Sequence, residues 1–217
     1  MKITLPKLDV ERKSGEERFH EDGSRLDFNL LDFWQWSMSD LVNNTIRGVL
    51  AEYIVAQALG GSTDKARDVW APYDLVTPNG VRVEVKSSSY LQSWAQSALS
   101  SISFDISPSH AWDDESGEFD DEYKRQADVY VFVLLAHQDK PTIDPVNLDQ
   151  WKFYVLTTAA LNKNFKDQKT LTLGGLEKHA SAVGFKKLEA AVSQAMTKPL
   201  DAATQSGASV RSKEGAS

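Results

Sequence analysis

Alternation of apolar and charged residues predicts a β-strand over residues 81–88, in the segment VRVEVKSS. Successive side chains of a strand point to opposite faces, so the three valines share one face and the three charged residues share the other. Those charged residues are Arg82, Glu84 and Lys86. A charged strand face is most often ordinary solvated surface, so its meaning depends on what the fold brings beside it.

A turn sequence predicts how this strand pairs with the segment before it. Residues 78–80 read Pro-Asn-Gly and have the preferences of a three-residue hairpin loop that ends in a left-handed glycine. In that register Asp74 lies opposite Glu84, with Lys86 on the same face. A two-residue loop would instead place Asp74 opposite Val85, among the core valines. The inward-facing residues are then expected to be Tyr73, Leu75, Val83 and Val85.

A periodic apolar stripe predicts a helix over residues 40–61. Ser39 or Asp40 would cap its first turn, and the pair Gly60-Gly61 would end it. Apolar residues recur within it at the i, i+3, i+4, i+7 and i+8 spacing of a core-facing surface. These residues are Ile46, Val49, Leu50, Tyr53 and Ile54.

Other patterns predict the rest of a mixed α/β domain. The unbroken apolar run VYVFVLLA indicates a central strand at 128–136 that is buried on both faces. Strands at 72–77 and 101–106 are predicted to form a meander with the strand at 81–88, and WKFYVLT at 151–157 is another strand. Helices are predicted in TTAALNKNF, capped by Thr157 or Thr158, and in LEKHASAV and FKKLEAAVSQAM, which Gly184 separates. One sheet flanked by helices is therefore the expected fold.

Length and composition indicate one domain with irregular ends. Of the 217 residues, 29–197 are predicted to form the folded domain, 1–28 a charged arm and 198–217 a disordered tail. There is no cysteine, which excludes disulfides and thiolate chemistry. No apolar segment is long enough for a signal peptide or a membrane span, so a cytoplasmic location without membrane contact is expected.

The net charge of −7 is largely a local feature. Seven acidic residues and no basic residue lie between 113 and 122, and without them the chain has 24 basic and 24 acidic residues, that is, 31 less 7. Total charge therefore neither suggests nor excludes a nucleic-acid partner. The acidic segment itself is expected to be a solvated insertion.

Facing carboxylates at Asp74 and Glu84 should repel each other unless a cation lies between them. Mg²⁺ favours a pair of carboxylates together with water and phosphate oxygens. A lysine two residues along the same face could orient or deprotonate the attacking water, or stabilise charge that develops on phosphorus. Asp74, Glu84 and Lys86 therefore have the chemistry needed for phosphodiester hydrolysis.

This pattern resembles the PD-(D/E)XK nuclease superfamily, whose members have a restriction-endonuclease-like fold. The motif here is Asp74, nine intervening residues, then Glu84, Val85 and Lys86, preceded by a helix with a glutamate at Glu52. In one departure, the proline of the motif stands two residues before Asp74 and not beside it. The resemblance spans residues 40–136.

The resemblance implies a mixed-sheet nuclease core that uses Mg²⁺, with Mn²⁺ as a substitute. Asp74, Glu84, Glu52 and the Val85 carbonyl would then be the metal ligands, and Lys86 would assist the attacking water. Glu52 has an equally weighted alternative as a solvated helix residue, because it lies at the flank of the predicted stripe and not at its centre.

Residues near the motif are candidates for nucleic-acid contacts. Ser88 and Gln92 have side chains that can bind phosphates or base edges, and Arg82 is either a phosphate contact or, as we favour, half of an ion pair on the strand face. Trp94 is expected in the core, as are three aromatic residues further upstream. These are Phe33, Trp34 and Trp36.

The function expected from the resemblance is a Mg²⁺-dependent DNA nuclease of restriction, phage defence or repair. One alternative is a non-catalytic nucleic-acid-binding or assembly module with the same fold. Another is a nuclease acting on RNA, since the phosphodiester chemistry is shared. A homodimer or a partner subunit stays open, as does the specificity of cleavage.

Overall fold

The structure is a computed structural model that describes residue 5 and residues 7–113 and 116–197. Ten strands and five α-helices are found in this part of the chain. They are β1 (Arg18–Glu21), β2 (Ser24–Asn29), α1 (Leu30–Met38), α2 (Asn44–Leu59), β3 (Leu75–Val76), β4 (Arg82–Ser89), β5 (Ser103–Asp105), β6 (Trp112–Asp113), β7 (Glu118–Phe119), β8 (Val129–Leu135), β9 (Trp151–Thr157), α3 (Thr158–Asn164), β10 (Thr170–Thr172), α4 (Leu173–Leu176) and α5 (Leu188–Thr197).

The centre of the fold is a mixed sheet with the strand order β3-β4-β8-β9. Strand β4 runs antiparallel to β3 and parallel to β8, and β9 runs antiparallel to β8. All seven residues of β8 are buried, as the apolar run predicted, because β8 is an inner strand with cover on both faces. The predicted class, a mixed sheet flanked by helices, is confirmed.

The two faces of the sheet carry separate apolar clusters. On the first face, Val83 and Val85 of β4 pack with α2 and α5. On the second face, Tyr130 and Phe132 of β8 pack with α3, α4 and the short pair of β5 and β10. Glu84 and Lys86 of β4 stand beside Tyr130 and Phe132 in the β4–β8 register, so their side chains belong to the second face.

The hairpin of β3 and β4 has the predicted register. Leu75 pairs with Val83 and Val76 with Arg82, and the Thr77 amide donates to the Val81 carbonyl at 2.9 Å. Gly80 has a φ of +80°, a left-handed conformation that strains residues with a Cβ. The three-residue loop is therefore confirmed, and with it the position of Asp74 across from Glu84.

Two details of the predicted meander are wrong. Strand β3 has two residues and not the six of 72–77, and Tyr73 packs against the second apolar cluster while Leu75 packs against the first. The alternation is interrupted because the Asp74 carboxylate, and not a backbone carbonyl, accepts the Val85 amide proton. The predicted strand at 101–106 forms β5, which pairs with β10, since both edges of β4 are already taken by β3 and β8.

Helix α2 begins later than predicted and faces the core differently. Its N-cap is Asn43, because Asp40 instead accepts the amide protons of Val42 and Asn43 in the preceding turn. Val49 and Tyr53 of the predicted stripe are exposed. The buried residues of α2 are Arg47, Ala51, Ile54, Val55, Ala56 and Leu59. An arginine at the head of this row concealed the periodicity.

The chain ends also differ from the prediction. Strands β1 and β2 form a hairpin through Asp22 and Gly23 inside the predicted arm. Helix α1 has no buried residue, and Trp36 is 84% exposed, so the expected core role of this helix is wrong. Residues 176–183 are not a continuous helix, since α4 ends at Leu176 and Val183 bridges to Phe153 of β9. The predicted tail lies outside the described residues. No helix in the described part of the chain has the length and hydropathy needed to cross a bilayer.

Alanine substitutions at two glycines test the assigned conformations of α2 and of the β3–β4 loop. A Cβ at Gly48 in α2 would contact nothing within 4 Å, so Gly48→Ala should raise the free energy of unfolding by about 0.5–1 kcal/mol. Gly80 also has open space but a positive φ, so Gly80→Ala should lower the free energy of unfolding by about 1 kcal/mol. Urea denaturation of both variants checks the two signs. A stabilised Gly80→Ala would contradict the loop assignment.

Candidate active site

Asp74 lies just before β3 and is held by the backbone of β4. Its amide donates to the Val83 carbonyl at 3.1 Å, and its Oδ2 accepts the Val85 amide proton at 2.7 Å. Only 18% of the side chain is exposed. The aspartate therefore takes the place of a ladder hydrogen bond, and this fixes one carboxylate oxygen while Oδ1 faces Arg67.

Glu84 and Lys86 form an ion pair on the second face of the sheet. Lys86 Nζ lies 2.6 Å from Glu84 Oε1, and both side chains are largely shielded from water. Two residues apart on one strand, they share a face, as the alternation predicted. The structure therefore brings Asp74, Glu84 and Lys86 together in the expected arrangement.

Glu52 reaches this group from α2 through an arginine that the sequence did not single out. The guanidinium of Arg67 binds both Glu52 oxygens, Nε to Oε2 and Nη2 to Oε1, the latter at 2.8 Å. The same Nη2 lies 3.9 Å from Asp74 Oδ1. Glu52 is only 15% exposed, so the solvated alternative is wrong. Arg67 lies between α2 and β3 in a segment without regular structure, where periodicity gives no signal.

Burial and like charge make Asp74 hard to ionise. The pKa of Asp74 is raised to about 7, first by burial and then by the charges of Glu84 and Glu52, against the opposing effects of the Val85 amide and Lys86. Burial alone would lower the pKa of Lys86, but Glu84, Asp74 and Asp105 more than offset it and raise that pKa. Repulsion among the three carboxylates therefore falls mainly on Asp74, and Lys86 stays protonated at neutral pH.

Two further residues act on this site and were missed. Asp105 of β5 is close enough to Lys86 for each charge to favour the other, and its pKa is lowered by hydrogen bonds with Ser107 and by Lys86 despite the opposing effect of burial. Tyr130 is the partner of Glu84 in the β4–β8 register, and burial and the Glu84 charge raise its pKa. The packing of β5 near β4 brings Asp105 close to Lys86, and a contact of this kind leaves no local sequence signal.

The donor chemistry fits a divalent cation, although the ligands are not yet gathered. In the described ranges, no group of three or more histidine, aspartate or glutamate side chains has the arrangement of a metal site. Arg67 lies between Glu52 and Asp74, which accounts for their separation. The three shielded carboxylates are nevertheless hard oxygen donors of the kind that Mg²⁺ prefers. The raised pKa of Asp74 means that a cation bound beside it would stabilise its ionised form. The Val85 carbonyl as a ligand stays a prediction.

The three residues predicted to contact nucleic acid have different surroundings. Arg82 forms a forked ion pair with Asp128, its Nε 3.0 Å from Oδ2, which is the role we favoured for it. Gln92 is 7% exposed and its Nε2 donates to the Ser89 carbonyl and Ser100 Oγ, so its amide is engaged within the protein and its contact with nucleic acid stays a prediction. Ser88 lies half-buried on the second face, and its contact with nucleic acid stays a prediction. Trp94 is exposed and not in the core.

Comparison with known proteins adds an independent finding. A family model described as bacteriophage T4 endonuclease IV matches residues 5–174, which is well over half of the chain. The matched range includes α2, the β3–β4 hairpin, β8 and the whole candidate site. None of the curated proteins matches the sequence.

Proposed function

The chain belongs to the bacteriophage T4 endonuclease IV family, and on that premise we propose that it is a Mg²⁺-dependent nuclease that hydrolyses phosphodiester bonds in DNA. The family description supports the nuclease activity, and the carboxylate chemistry supports the metal requirement. The observation that carries the proposal is the pKa of Asp74, raised to about 7 by burial and by the nearby charges of Glu84 and Glu52, beside the ion pair of Glu84 with Lys86. The proximity of these residues also supports the PD-(D/E)XK assignment.

Asp74, Glu84 and Glu52 would hold the metal ion. When bound, Mg²⁺ supplies Lewis-acid polarisation of a phosphate oxygen and makes a nearby water more acidic. Asp74 is well suited to a fixed ligand position because the Val85 amide holds its Oδ2 in one orientation. Mn²⁺ is expected to substitute, since it accepts the same oxygen donors.

Lys86 is the residue that acts on the reacting phosphate. Because its pKa is raised, it carries a positive charge and donates hydrogen bonds, so it does not act as the general base. Its ammonium group would orient the attacking water and stabilise negative charge that develops on the phosphate oxygens. Glu84 positions it through the 2.6 Å ion pair.

A cleavage assay tests this proposal. Wild-type protein should cut plasmid, linear duplex or single-stranded DNA with Mg²⁺ or Mn²⁺ and leave all of them intact with EDTA. Glu84→Gln, purified in the same way, controls for contaminating nucleases and should reduce cleavage by at least about a hundredfold. Cleavage confined to RNA would support the alternative substrate, and an inactive wild type that still binds DNA would support the binding module.

A further inference from the structure

Arg67 is the one candidate-site residue whose partners are both proposed metal ligands. Its guanidinium contacts both oxygens of Glu52 and lies 3.9 Å from Asp74 Oδ1. Hydrogen bonding to Glu52 raises the pKa of Arg67, with the Glu52, Asp74 and Asp68 charges acting in the same direction and burial opposing them. The arginine therefore neutralises Glu52 and lies against Asp74 without lowering the pKa of Asp74 to its ordinary range.

A divalent cation would need the place that this guanidinium holds. Asp74 Oδ2 is engaged by the Val85 amide, so Oδ1, which faces Arg67, is the oxygen open to a ligand. Both Glu52 oxygens are engaged by Arg67. A metal ion cannot occupy the place that the guanidinium holds, and like charge opposes a close approach of the two in a shielded site. A metal held by Glu52 and Asp74 therefore requires Arg67 to move.

Arg67 lies in a part of the chain where moving its side chain breaks no helix or strand hydrogen bond. It belongs to the irregular segment between α2 and β3, and 38% of its side chain is exposed. A displaced guanidinium would remain at the mouth of the site. Its planar fork of donors matches two phosphate oxygens, and a lysine there would lack this geometry.

We propose that Arg67 alternates between two anionic partners. In the metal-free protein it holds Glu52 and Asp74, and when a divalent cation takes these carboxylates its guanidinium binds a backbone phosphate of the DNA substrate. This role rests on the proposed function. It makes Arg67 a substrate-binding residue and explains why the carboxylates stand ungathered without metal.

Isothermal titration with Mn²⁺ measures the first half of the exchange. Arg67→Gln removes the competing cation, so Mn²⁺ should bind about tenfold more tightly than to wild type. Arg82→Gln is the matched control, because Arg82 also forms a forked pair with a carboxylate but Asp128 is not a candidate ligand. Its Mn²⁺ affinity should stay within about twofold of wild type.

Wild-type protein provides a second measurement that does not depend on the Arg67→Gln variant. The Nε–H signals of arginines can be followed by ¹⁵N NMR during titration with Mg²⁺, and the Arg67 signal is assigned by its loss in Arg67→Lys. It should shift as the bond to Glu52 breaks, while the Arg82 signal stays in place. An Arg67 signal that does not move while Mg²⁺ binds would overturn the proposal even if Arg67→Gln fails to fold.

DNA affinity measures the second half, in a Lys86→Ala background that prevents cleavage. With Mg²⁺ present, adding Arg67→Gln should weaken DNA binding and reduce the slope of log Kobs against log salt by about 0.9, the loss of one phosphate contact in duplex DNA. Tighter Mn²⁺ binding together with weaker, less salt-dependent DNA binding supports the alternation. A purely structural arginine would change neither in this way.

The outcomes separate this proposal from the function on which it rests. If wild type binds neither Mn²⁺ nor Mg²⁺ and does not cleave, the proposed function and the role of Arg67 fail together. If wild type binds metal and cleaves, but Arg67→Gln binds Mn²⁺ no more tightly or keeps the wild-type salt slope, only the role of Arg67 is wrong.

Discussion

Lys86→Ala should reduce Mg²⁺-dependent DNA cleavage by about 10²–10³-fold or more, which is the usual effect of removing one preorganised charge from a transition state. The loss should be in kcat, because the ammonium group acts on charge that appears only as the phosphate reacts. Mn²⁺ binding should persist, because lysine provides no ligand atom. Single-turnover cleavage beside isothermal titration with Mn²⁺ makes this measurement.

Loss of the ion pair with Glu84 should also change the thermal stability of Lys86→Ala. Removing Lys86 leaves a shielded carboxylate without its partner, so the metal-free variant should melt at a lower temperature than wild type, and Mg²⁺ should recover most of the difference. Lys124→Ala is the control, since Lys124 also pairs with a glutamate, Glu122, but in the exposed segment between β7 and β8. If Lys86→Ala cleaves like Lys124→Ala, the face of β4 is ordinary surface.

The central part of the site followed from local sequence rules. The loop at 78–80 set the register of the hairpin, and a two-residue period set which side chains share a face, so the opposition of Asp74 and Glu84 and the position of Lys86 were predictable. The central strand followed from its apolar run, and β9 has the bounds predicted for it, 151–157. In each case the determining interaction lies within a few residues of the chain.

Features that depend on distant parts of the chain were not predictable in this way. The partner of β5 is β10, more than sixty residues away, so the approach of Asp105 to Lys86 has no local signal. Arg67 lies in an irregular segment, and its contact with Glu52 depends on how α2 packs. The buried Arg47 hid the core face of α2, because a charged residue in an apolar row breaks the pattern that predicts burial.

Asp74→Asn is expected to stabilise the metal-free protein at a pH of about 8. The folded-state pKa of Asp74 is about 7 against an ordinary 3.8, so ionisation opposes folding. The cost is absent below the ordinary pKa, grows as the pH rises towards 7, and is complete above it. Three pKa units correspond to roughly 4 kcal/mol, and because the NH2 group of asparagine would face the Arg67 guanidinium, which is also a donor, we expect a net gain of about 2 kcal/mol.

Asp128→Asn provides a control of opposite sign. The pKa of Asp128 is lowered, chiefly by its hydrogen bond with Arg82, so ionised Asp128 stabilises the fold above its ordinary pKa and the benefit is lost as the pH falls. At a pH of about 8 this variant should lose about 1 kcal/mol. Denaturation curves for both variants between pH 4 and pH 8, with and without Mg²⁺, separate the two classes of carboxylate. Mg²⁺ should raise the melting temperature of wild type and of Asp128→Asn but not of Asp74→Asn, because only the last has lost a ligand. An Asp74→Asn variant that loses stability at high pH, as Asp128→Asn does, would identify Asp74 as half of a structural ion pair with Arg67.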